Sequence, residues 1–419
     1  MAEVLRRRGK LPKPHPESRW GLMRILITDG RERAALAAAR ALVAASCEVY
    51  VTARSSPSLA GVSRGVRSHV VRADALTSPA RYAAEVGDLV GRLGIRVLIP
   101  VTDPSVEALL EHRDAVPAGV ALPVPDLATW RAAADKLMVM ELARAAGFDV
   151  PETVVLTSPY DAATVQRERL FPAVVKPHRS VVGSDSGRQK LGVSFVDDLS
   201  SCRQVLAALP ATAYPVLLQR RVQGPGEGLF VLRWAGRVVA LFAHRRLREK
   251  PPAGGVSVYR ESIRPDPSLV TAGLTLLNAL NWNGLVMIEC KRDHRTGRHV
   301  IMEVNGRMWG SLQLAIDAGV NFPWLLVRCA LGLPTPVVDQ YRVGIRSRWL
   351  WGDVDHLYLR LRRSPAELHL PDGNLTRLAA LRDFFAFRPG RDRCEILRWN
   401  DLLPFLVETA TRMGLASGA

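Results

Sequence analysis

The sequence predicts a mixed fold in which a doubly wound α/β unit is followed by an α+β region built on antiparallel sheets. Two observations support this prediction. Strand-like apolar runs alternate with helical segments over residues 23–125, which is typical of a parallel sheet covered by helices. Farther along, short strand-like runs are separated by tight turns, as in antiparallel sheets. The length of 419 residues exceeds one ordinary core and favours two or three domains.

The α/β unit is expected to begin at Met23. Residues 1–22 are rich in arginine and proline and lack a periodic apolar pattern, so we expect a disordered basic arm there. MRILITDG then predicts a buried strand, RERAALAAARALVAASC an alanine-rich helix, and EVYVTAR a second strand. The first turn, TDGRERA, lacks GxGxxG, and the chain contains no GxxxxGK[ST] run. These absences exclude a dinucleotide site at that turn and a P-loop anywhere in the chain.

The composition is that of a globular protein with an excess of arginine. The formal net charge is +17, and arginine supplies all but seven of the 57 basic residues. The arginines are spread from end to end, which fits a general compositional bias better than a nucleic-acid-binding stripe. No uncharged apolar run reaches the roughly 20 residues of a membrane span, and the five cysteines show no CxxC spacing. We expect a cytoplasmic protein that has no nucleic-acid partner, disulfide framework or zinc site.

Two acidic strands carry the clearest chemical signal in the sequence. GLVMIECKRD and VIMEVNGR flank DHRTGRH, a segment whose glycine favours a hairpin loop. If the hairpin is symmetric about Thr296, Glu289 lies opposite Glu303. Two carboxylates about 5 Å apart repel by roughly 3 kcal/mol at an effective dielectric near 20. A cation is therefore expected beside this pair.

The cation best suited to this hairpin is Mg²⁺, because it binds carboxylate and amide oxygens and completes its shell with water and substrate phosphates. Alternation along the second strand places Asn305 and Arg307 on the same face as Glu303. The alternative is that both carboxylates face solvent beside Arg307 and Lys291.

Two lysines stand out in this arginine-rich chain. Lys136 lies in DLATWRAAADKLMVMELARAAG, which predicts one helix closed by Gly147, and the alternative for this lysine is simple solvation on that helix. Lys176 lies in FPAVVKPH, a short apolar strand, where a lysine requires an anion or an exposed edge.

Two further segments could contact a nucleotide. RSVVGSDSGRQKLGVSFV places small residues between two strands, where backbone and hydroxyl donors can hold phosphate oxygens, although a flexible hairpin loop would look similar. LLQRRVQGPGEG ends an apolar strand at residues 219–222, where free backbone groups could serve an adenine edge. Glu227 follows within reach of a ribose.

The ordered set of these motifs resembles the ATP-grasp superfamily, which includes biotin carboxylase, the large subunit of carbamoyl-phosphate synthetase and D-alanine ligases. The resemblance covers roughly residues 24–335. It implies a pre-ATP-grasp α/β domain over residues 23–125 and a two-subdomain ATP-grasp fold with antiparallel sheets over residues 126–335. The lid subdomain would span about 151–218. Residues 336–419 are expected to form a helical extension with a basic amphipathic face, which docks on the core or recognises a partner.

The resemblance also implies a role for each candidate residue. Phosphate contacts would come from Lys136, Lys176, Gly183, Ser184 and Ser186; adenine contacts from Gln219, Arg220 and Val222; and the ribose contact from Glu227. Mg²⁺, with Mn²⁺ as a second candidate, would be bound by Glu289, Glu303 and Asn305, while Arg307 would be catalytic and steady the transferred phosphoryl group.

The sequence departs from the family pattern at two positions. Arg220 stands where relatives commonly have an acidic residue, so backbone carbonyls are expected to replace that side chain at the adenine amino group. Gly306 stands where many relatives have proline, which changes the stiffness of the chain there.

The function implied is an ATP-dependent carboxylate–amine ligase that forms an acyl phosphate and releases ADP and phosphate. The alternatives are an ATP-grasp carboxylase or ligase with a thiol or other nucleophile, and a nucleotide-binding regulator without turnover. His244, Arg246, Arg248 and Arg260 are candidate substrate contacts and favour an acidic small-molecule or peptide substrate, unless they form an exposed basic strand. A homodimer is a candidate assembly.

Overall fold

Four short parallel strands form the N-terminal sheet. This computed structural model describes residues 23–164, 170–179, 181–184, 187–370 and 376–415. The strands are β1 (Arg24–Ile27), β2 (Glu48–Ala53), β3 (Val66–Val70) and β4 (Val97–Ile99), in the order β3-β2-β1-β4. The accompanying helices are α1 (Arg33–Ala44), α2 (Pro79–Leu93) and α3 (Asp103–Glu111). The predicted α/β unit is confirmed, and the predicted basic arm at residues 1–22 lies outside the described residues.

The single helix predicted up to Gly147 is in fact two helices, α4 (Leu127–Ala134) and α5 (Lys136–Ala145). Asp135 has extended backbone angles and separates them, and its carboxylate accepts hydrogen bonds from the first turn of α5. Such a cap stabilises a new helix start at that point. Lys136 is therefore the first residue of α5, and its amide N–H donates to the carbonyl oxygen of His178 at 3.0 Å.

A small antiparallel sheet forms the lid domain, which we define as residues 151–220. Its strands are β5 (Thr153–Leu156), β6 (Ala173–Pro177), β7 (Val181–Ser184), β8 (Gly187–Lys190), β9 (Ser194–Val196) and β10 (Val216–Arg220), with helix α6 (Leu199–Ala208). The order is β5-β10-β6-β9, while β7 and β8 pair with each other. Buried side chains from the sheet and α6, among them Leu156, Val175, Leu206 and Leu218, form a separate core.

A seven-stranded sheet forms the large domain. Its strands, β11 (Gly226–Trp234), β12 (Arg237–Lys250), β13 (Val256–Ile263), β14 (Gly284–Arg292), β15 (His299–Asn305), β16 (Arg346–Arg348) and β17 (Asp392–Cys394), lie in the order β15-β14-β11-β12-β13-β16-β17. Three helices accompany it: α7 (Pro267–Ala279), α8 (Leu312–Ala318) and α9 (Phe322–Ala330). Because side chains alternate across a strand, Leu229 and Val231 pack in the core of α7, whereas Phe230 packs in the core of α1, α8 and α9.

The C-terminal region was predicted to be helical, and this prediction is incomplete. It contains α10 (Leu350–Arg362), α11 (Arg377–Phe385) and α12 (Leu403–Arg412), but it also contributes β16 and β17 to the large sheet. Strand β16 is antiparallel to β13, and β17 is parallel to β16. Buried ion pairs reinforce this attachment, since Arg248 contacts the fully buried Asp353 at 2.6 Å and Arg33 contacts Glu395 at 2.8 Å.

Two expectations about the whole chain can be compared with the structure. None of the five cysteines forms a disulfide, as predicted. Within the described ranges, no helix has the length and apolar character that crossing a membrane requires.

Gly306 follows β15 at a position with no room for a side chain. A Cβ atom built on it would lie 2.2 Å from the ring of Trp282 and 2.9 Å from the ring of Trp130. Both tryptophans are buried in the core that contains α7. Packing against these two tryptophans therefore explains why position 306 is a glycine and not a proline.

We expect Gly306→Ala to lower the free energy of unfolding by about 1–3 kcal/mol, because the added methyl group overpacks the tryptophan core. Gly192→Ala is the matched control, since a Cβ atom there meets nothing within 4 Å. Urea denaturation of both variants checks this prediction. Equal losses of stability in the two variants would contradict it.

Candidate functional site

A cavity of about 630 Å³ lies between the lid domain and the large sheet. Lys176 and Gln219 line it from the lid, and Arg246, Glu289 and Glu303 line it from the large sheet. We call this cavity the cleft. Its size is typical of a small-molecule site.

The two carboxylates predicted to oppose each other do so in the cleft. Glu289 on β14 is the register partner of Glu303 on β15, as the symmetry of the hairpin predicts. The register shifts immediately afterwards, between Glu289 and Cys290. The alternative in which both carboxylates face solvent is wrong, because each is largely buried and lines the cleft.

A protein cation contacts Glu289. The guanidinium of Arg246 lies 2.5 Å from its carboxylate and also contacts Glu249 at 2.9 Å. Burial raises the pKa of Glu289, and the charge of Glu303 raises it further against the opposing effect of Arg246.

The glycines of the GPGEG turn make room for the β12 side chains across from them. A Cβ atom on Gly226 would lie 2.7 Å from the Arg246 side chain, and one on Gly228 would lie 3.2 Å from His244. Gly228 is the register partner of His244 on β12, and Gly226 lies two residues earlier on β11. The basic side chains therefore pass over bare backbone.

Glu303 lies in a more positive environment. Its carboxylate accepts a hydrogen bond of 2.8 Å from the amide of Asn305. Burial alone would raise the pKa of Glu303, but the charge of Lys136, the Asn305 hydrogen bond and the charges of Lys176 and Arg307 lower it below its usual value. Glu303 therefore remains ionised at neutral pH.

Both predicted lysines lie in the cleft. Lys136 is only 8% exposed, so its predicted alternative as a solvated helix lysine is wrong. Burial lowers the pKa of Lys136, and it lowers the pKa of Lys176 to about 8, although the charge of Glu303 opposes both shifts. Two buried ammonium groups beside few carboxylates favour an anionic ligand.

Arg307 joins the large sheet to the N-terminal domain. Its Nε donates to Asp103 at 2.9 Å, and its Nη2 donates to the amide oxygen of Asn305 at 3.2 Å. Burial alone would lower the pKa of Arg307, but Asp103 and Glu303 raise it. The guanidinium is thus fixed and charged at one wall of the cleft.

The predicted adenine segment lies on the cleft. Gln219, Arg220 and Val222 all line it. The amide of Gln219 donates to Thr153 at 3.0 Å, and Lys291 donates to the carbonyl oxygen of Val222 at 3.3 Å.

The predicted ribose contact is wrong. Glu227 faces the opposite side of the sheet from Glu289 and is absent from the cleft lining. It is buried, and its carboxylate lies 2.9 Å from Nε2 of His299. The sequence alone does not reveal this pairing, because His299 lies 72 residues farther along the chain, on β15.

The predicted phosphate loop is described only in part. Gly183 belongs to β7, is exposed and does not line the cleft, and the described backbone of Ser184 belongs to the same strand. Ser186 lies outside the described residues. Arg188 on β8 forms ion pairs with Glu107 and Glu111 of α3, so in this structure the hairpin is attached to the N-terminal domain.

The four predicted substrate contacts separate into two groups. His244 and Arg246 line the cleft. The register shifts between Arg246 and Arg248, and Arg248 binds Asp353 outside the cleft. Arg260 is fully buried and pairs with Glu395. The assignments of Arg248 and Arg260 as substrate contacts are therefore wrong, and both residues hold the C-terminal region in place.

His244 is a neutral group in this wall. It is 1% exposed, and burial together with the charges of Arg246 and Arg260 lowers its pKa well below the ordinary value. Among the residues that the structure describes, none is a hydrogen-bond partner for its Nε2.

Among the charged cleft residues that were not assigned from the sequence, Asp103, Arg33 and Lys291 are the most informative. Asp103 holds Arg307, Arg33 lies at the start of α1, and Lys291 lies two residues after Glu289. Asp103 had a usable signal, because it follows a parallel strand at the edge where functional groups gather. Lys291 also had a signal, because it shares the strand face of Glu289. No sequence pattern distinguishes Arg33 from the other arginines.

The donor chemistry around Glu289 and Glu303 fits Mg²⁺. Two carboxylates and the Asn305 amide are hard oxygen donors, and Mg²⁺ usually takes only one or two protein carboxylates beside substrate phosphates. No cluster of three or more histidine, cysteine, aspartate or glutamate side chains occurs among the described residues, as a dedicated transition-metal site would require.

Comparison with known proteins agrees with this geometry. A family model described as "ATP-grasp in the biosynthetic pathway with Ter operon" matches residues 213–352. The chain has the ATP-grasp fold. The resemblance and the fold class predicted from the motifs are therefore confirmed. No curated protein matches the chain.

Solved structures share the fold at low sequence identity. N5-carboxyaminoimidazole synthetase from Staphylococcus aureus has 13% identity and a TM-score of 0.58, with 77% of this chain and 80% of that chain covered. An L-amino acid ligase from Bacillus licheniformis has 14% identity and a TM-score of 0.56, with 74% of each chain covered.

A third similar structure contains a nucleotide. The biotin carboxylase domain of Hydrogenobacter thermophilus 2-oxoglutarate carboxylase, in complex with MgADP, ADP and bicarbonate, has 14% identity and a TM-score of 0.61. The similarity covers 77% of this chain and 73% of that chain. These three relatives are enzymes named as synthetase, ligase or carboxylase, which agrees with the predicted enzyme class.

We expect Lys176→Met to weaken ATP binding sharply, because a buried ammonium that faces the cleft is lost. Arg144→Met is the matched control, since it also removes one positive charge but from an exposed site on α5. Isothermal titration calorimetry at pH 7 checks this difference. Equal effects of the two substitutions would contradict a nucleotide role for Lys176.

The same pair of proteins gives a pH test. The pKa of Lys176 is lowered to about 8, so free wild-type protein loses this charge as the pH rises through 8. The affinity advantage of the wild type over Lys176→Met should therefore narrow above that pH. A constant ratio from pH 6.5 to pH 9 would contradict this assignment.

Proposed function

We propose that the protein is an ATP-dependent ligase that joins a carboxylate to an amine through an acyl phosphate, with release of ADP and phosphate. The observation that carries this proposal is the buried pair Glu289 and Glu303, which faces the cleft together with two buried lysines and a fixed arginine. A cleft used only for adenosine recognition would not need this concentration of opposed charge.

The nucleotide is proposed to lie along the hinge between the lid and the large sheet. Gln219, Arg220 and Val222 line the side proposed for adenine. Lys136 and Lys176 are proposed to contact the phosphates, since both are buried near Glu303. Gly183 and the two loop serines are proposed to reach the phosphates when the lid closes, which requires the β7–β8 hairpin to leave its Arg188 contacts.

Glu289, Glu303 and Asn305 are proposed to hold Mg²⁺, with Mn²⁺ as a possible substitute to be tested. When bound, the metal supplies positive charge to the phosphate oxygens. Arg246 contacts Oε2 of Glu289 and would either share this carboxylate with the metal or keep only its contact with Glu249.

Arg307 is proposed to stabilise the phosphoryl group during its transfer to the substrate carboxylate. The guanidinium is held by Asp103 and Asn305, so its donors are already oriented before charge develops. Phosphorylation converts a poor leaving oxygen into a good one. Attack by an amine on the acyl carbon then forms the amide and releases phosphate.

His244 and Arg246 are proposed to face the substrate. Arg33, Arg220 and Arg221 also line the cleft, which favours an acidic small molecule or peptide as the carboxylate. His244 is neutral and can offer either a donor or an acceptor to that substrate. A homodimer stays a proposal for the assembly.

The reaction can be tested without knowing the amine. A panel of carboxylic acids, including bicarbonate and acidic peptides, is screened with ATP and Mg²⁺ for ADP release, and hydroxylamine replaces the amine. An acyl phosphate reacts with hydroxylamine to give a hydroxamate and phosphate. We expect a hydroxamate from the correct acid, with ADP as the nucleotide product.

We expect Arg307→Ala to slow hydroxamate formation far more than it weakens ATP binding, because the lost contact is strongest in the transition state. Arg237→Ala, at an exposed position outside the cleft, is the control. Formation of AMP and pyrophosphate would contradict the mechanism. ATP binding without turnover across the whole panel would favour a regulator.

A further inference from the structure

A second cavity of about 700 Å³ lies on the other side of the hinge from the cleft. We call it the basic cavity. It is bounded by residues 221–226, the end of β12, and helices α10 and α11. Among the described residues that line it, seven arginines and one lysine face two carboxylates, Glu249 and Asp383.

Several of these arginines are neutralised within the protein. Arg248 binds Asp353, and Arg346 binds Glu261 at 2.9 Å. Arg246 binds Glu249 and Glu289. These groups shape the wall of the cavity but retain little charge for a ligand.

Three cations of the basic cavity form no ion pair with any described residue: Arg221, Lys291 and Arg388. Arg221 lies over the ring of Phe195 at 5.1 Å and makes one long hydrogen bond, 3.3 Å to the carbonyl oxygen of Ala253, while its buried Nε has no hydrogen-bond partner among the described residues. Lys291 makes only the 3.3 Å hydrogen bond to Val222. Arg388 is exposed at the rim.

Two like charges, Arg221 and Lys291, lie inside the basic cavity. Both are partly buried, and burial lowers the pKa of Arg221. A bound anion would relieve the unfavourable burial of both charges.

We propose that the basic cavity is a binding site for a small polyanion, a molecule that carries two or more phosphate or carboxylate groups. The guanidinium forks of Arg221 and Arg388 suit both kinds of group. The volume matches a small molecule and not a macromolecular surface. Apolar lining from Leu370, Ala380 and Ala386 would contact the carbon skeleton.

The site is distinct from the nucleotide cleft but shares a wall with it. Arg221, Val222, Arg246, Glu249 and Lys291 line both cavities. A ligand in the basic cavity would therefore alter the hinge proposed to hold adenine. Any such coupling is reciprocal, so a nucleotide would change the affinity for the polyanion by the same factor.

Calorimetric titration of the full chain tests the site with two probes, inorganic tripolyphosphate and citrate. The cleft is first saturated with Mg²⁺ and a non-hydrolysable ATP analogue, so that binding there is blocked. We expect one probe molecule to bind per chain. The stronger probe tells whether phosphates or carboxylates are preferred.

Arg388→Gln is the test variant, because Arg388 lines the basic cavity and is absent from the cleft lining. We expect it to weaken probe binding about tenfold, as for loss of a charge-assisted hydrogen bond, and to leave binding of the ATP analogue unchanged. Arg382→Gln is the matched control, since its side chain is 79% exposed on α11, just before Arg388 in the chain, and does not line the cavity. Arg388 is itself exposed, so folding is not at risk.

Three results would overturn the proposal. One is the absence of probe binding when the analogue fills the cleft, and another is equal weakening by Arg388→Gln and Arg382→Gln. The third is binding of several probe molecules per chain, which would indicate general attraction to a basic protein. None of these results bears on the ligase proposal, because the hydroxamate assay does not depend on Arg388.

Discussion

The opposed carboxylates Glu289 and Glu303 are the constraint on which the arrangement of the domains depends. Like charges on neighbouring strands are unfavourable, and burial increases the cost. Cations from the lid and the large domain offset it. Lys176 comes from the lid, Arg246 from the centre of the large sheet, and Arg307 connects the pair to the N-terminal domain through Asp103. The position of the lid is therefore coupled to the charge state of this one pair.

This coupling explains why the pKa shifts in the cleft have opposite signs. Glu289 has a raised pKa because burial and the neighbouring carboxylate outweigh the effect of Arg246, whereas Glu303 has a lowered pKa because several cations surround it. The same burial lowers the pKa of Lys136 and Lys176. A bound nucleotide and its metal would bring both negative and positive charge into this cluster.

Local rules were sufficient to predict the hairpin that carries Glu289 and Glu303. The register of Glu289 with Glu303 follows from the position of the turn, and the common face of Glu303 and Asn305 follows from the period of two. The position of Lys176 in an apolar strand was likewise a local signal. The ATP-grasp resemblance, which rested on the order of the motifs along the chain, is confirmed.

Local rules failed where a partner lies far away in sequence. Glu227 contacts His299 and Arg260 pairs with Glu395, so neither side chain is free to contact a ligand. The irregular register after Arg246 turns Arg248 away from the cleft, and no sequence pattern marks this shift. In each case the sequence showed a charged residue near the expected site, but it did not show the distant, buried acid or base that pairs with this residue.

The role of the carboxylate pair is tested most directly by ADP binding with and without Mg²⁺, measured by calorimetry for wild type, Glu303→Gln and the exposed control Glu141→Gln. If Glu289 and Glu303 hold the metal, Mg²⁺ strengthens ADP binding by the wild type and the control. In Glu303→Gln that gain is lost, while metal-free ADP binds more tightly because the neighbouring cations are no longer neutralised. An equal gain from Mg²⁺ in Glu303→Gln and wild type would contradict the metal assignment and the mechanism built on it.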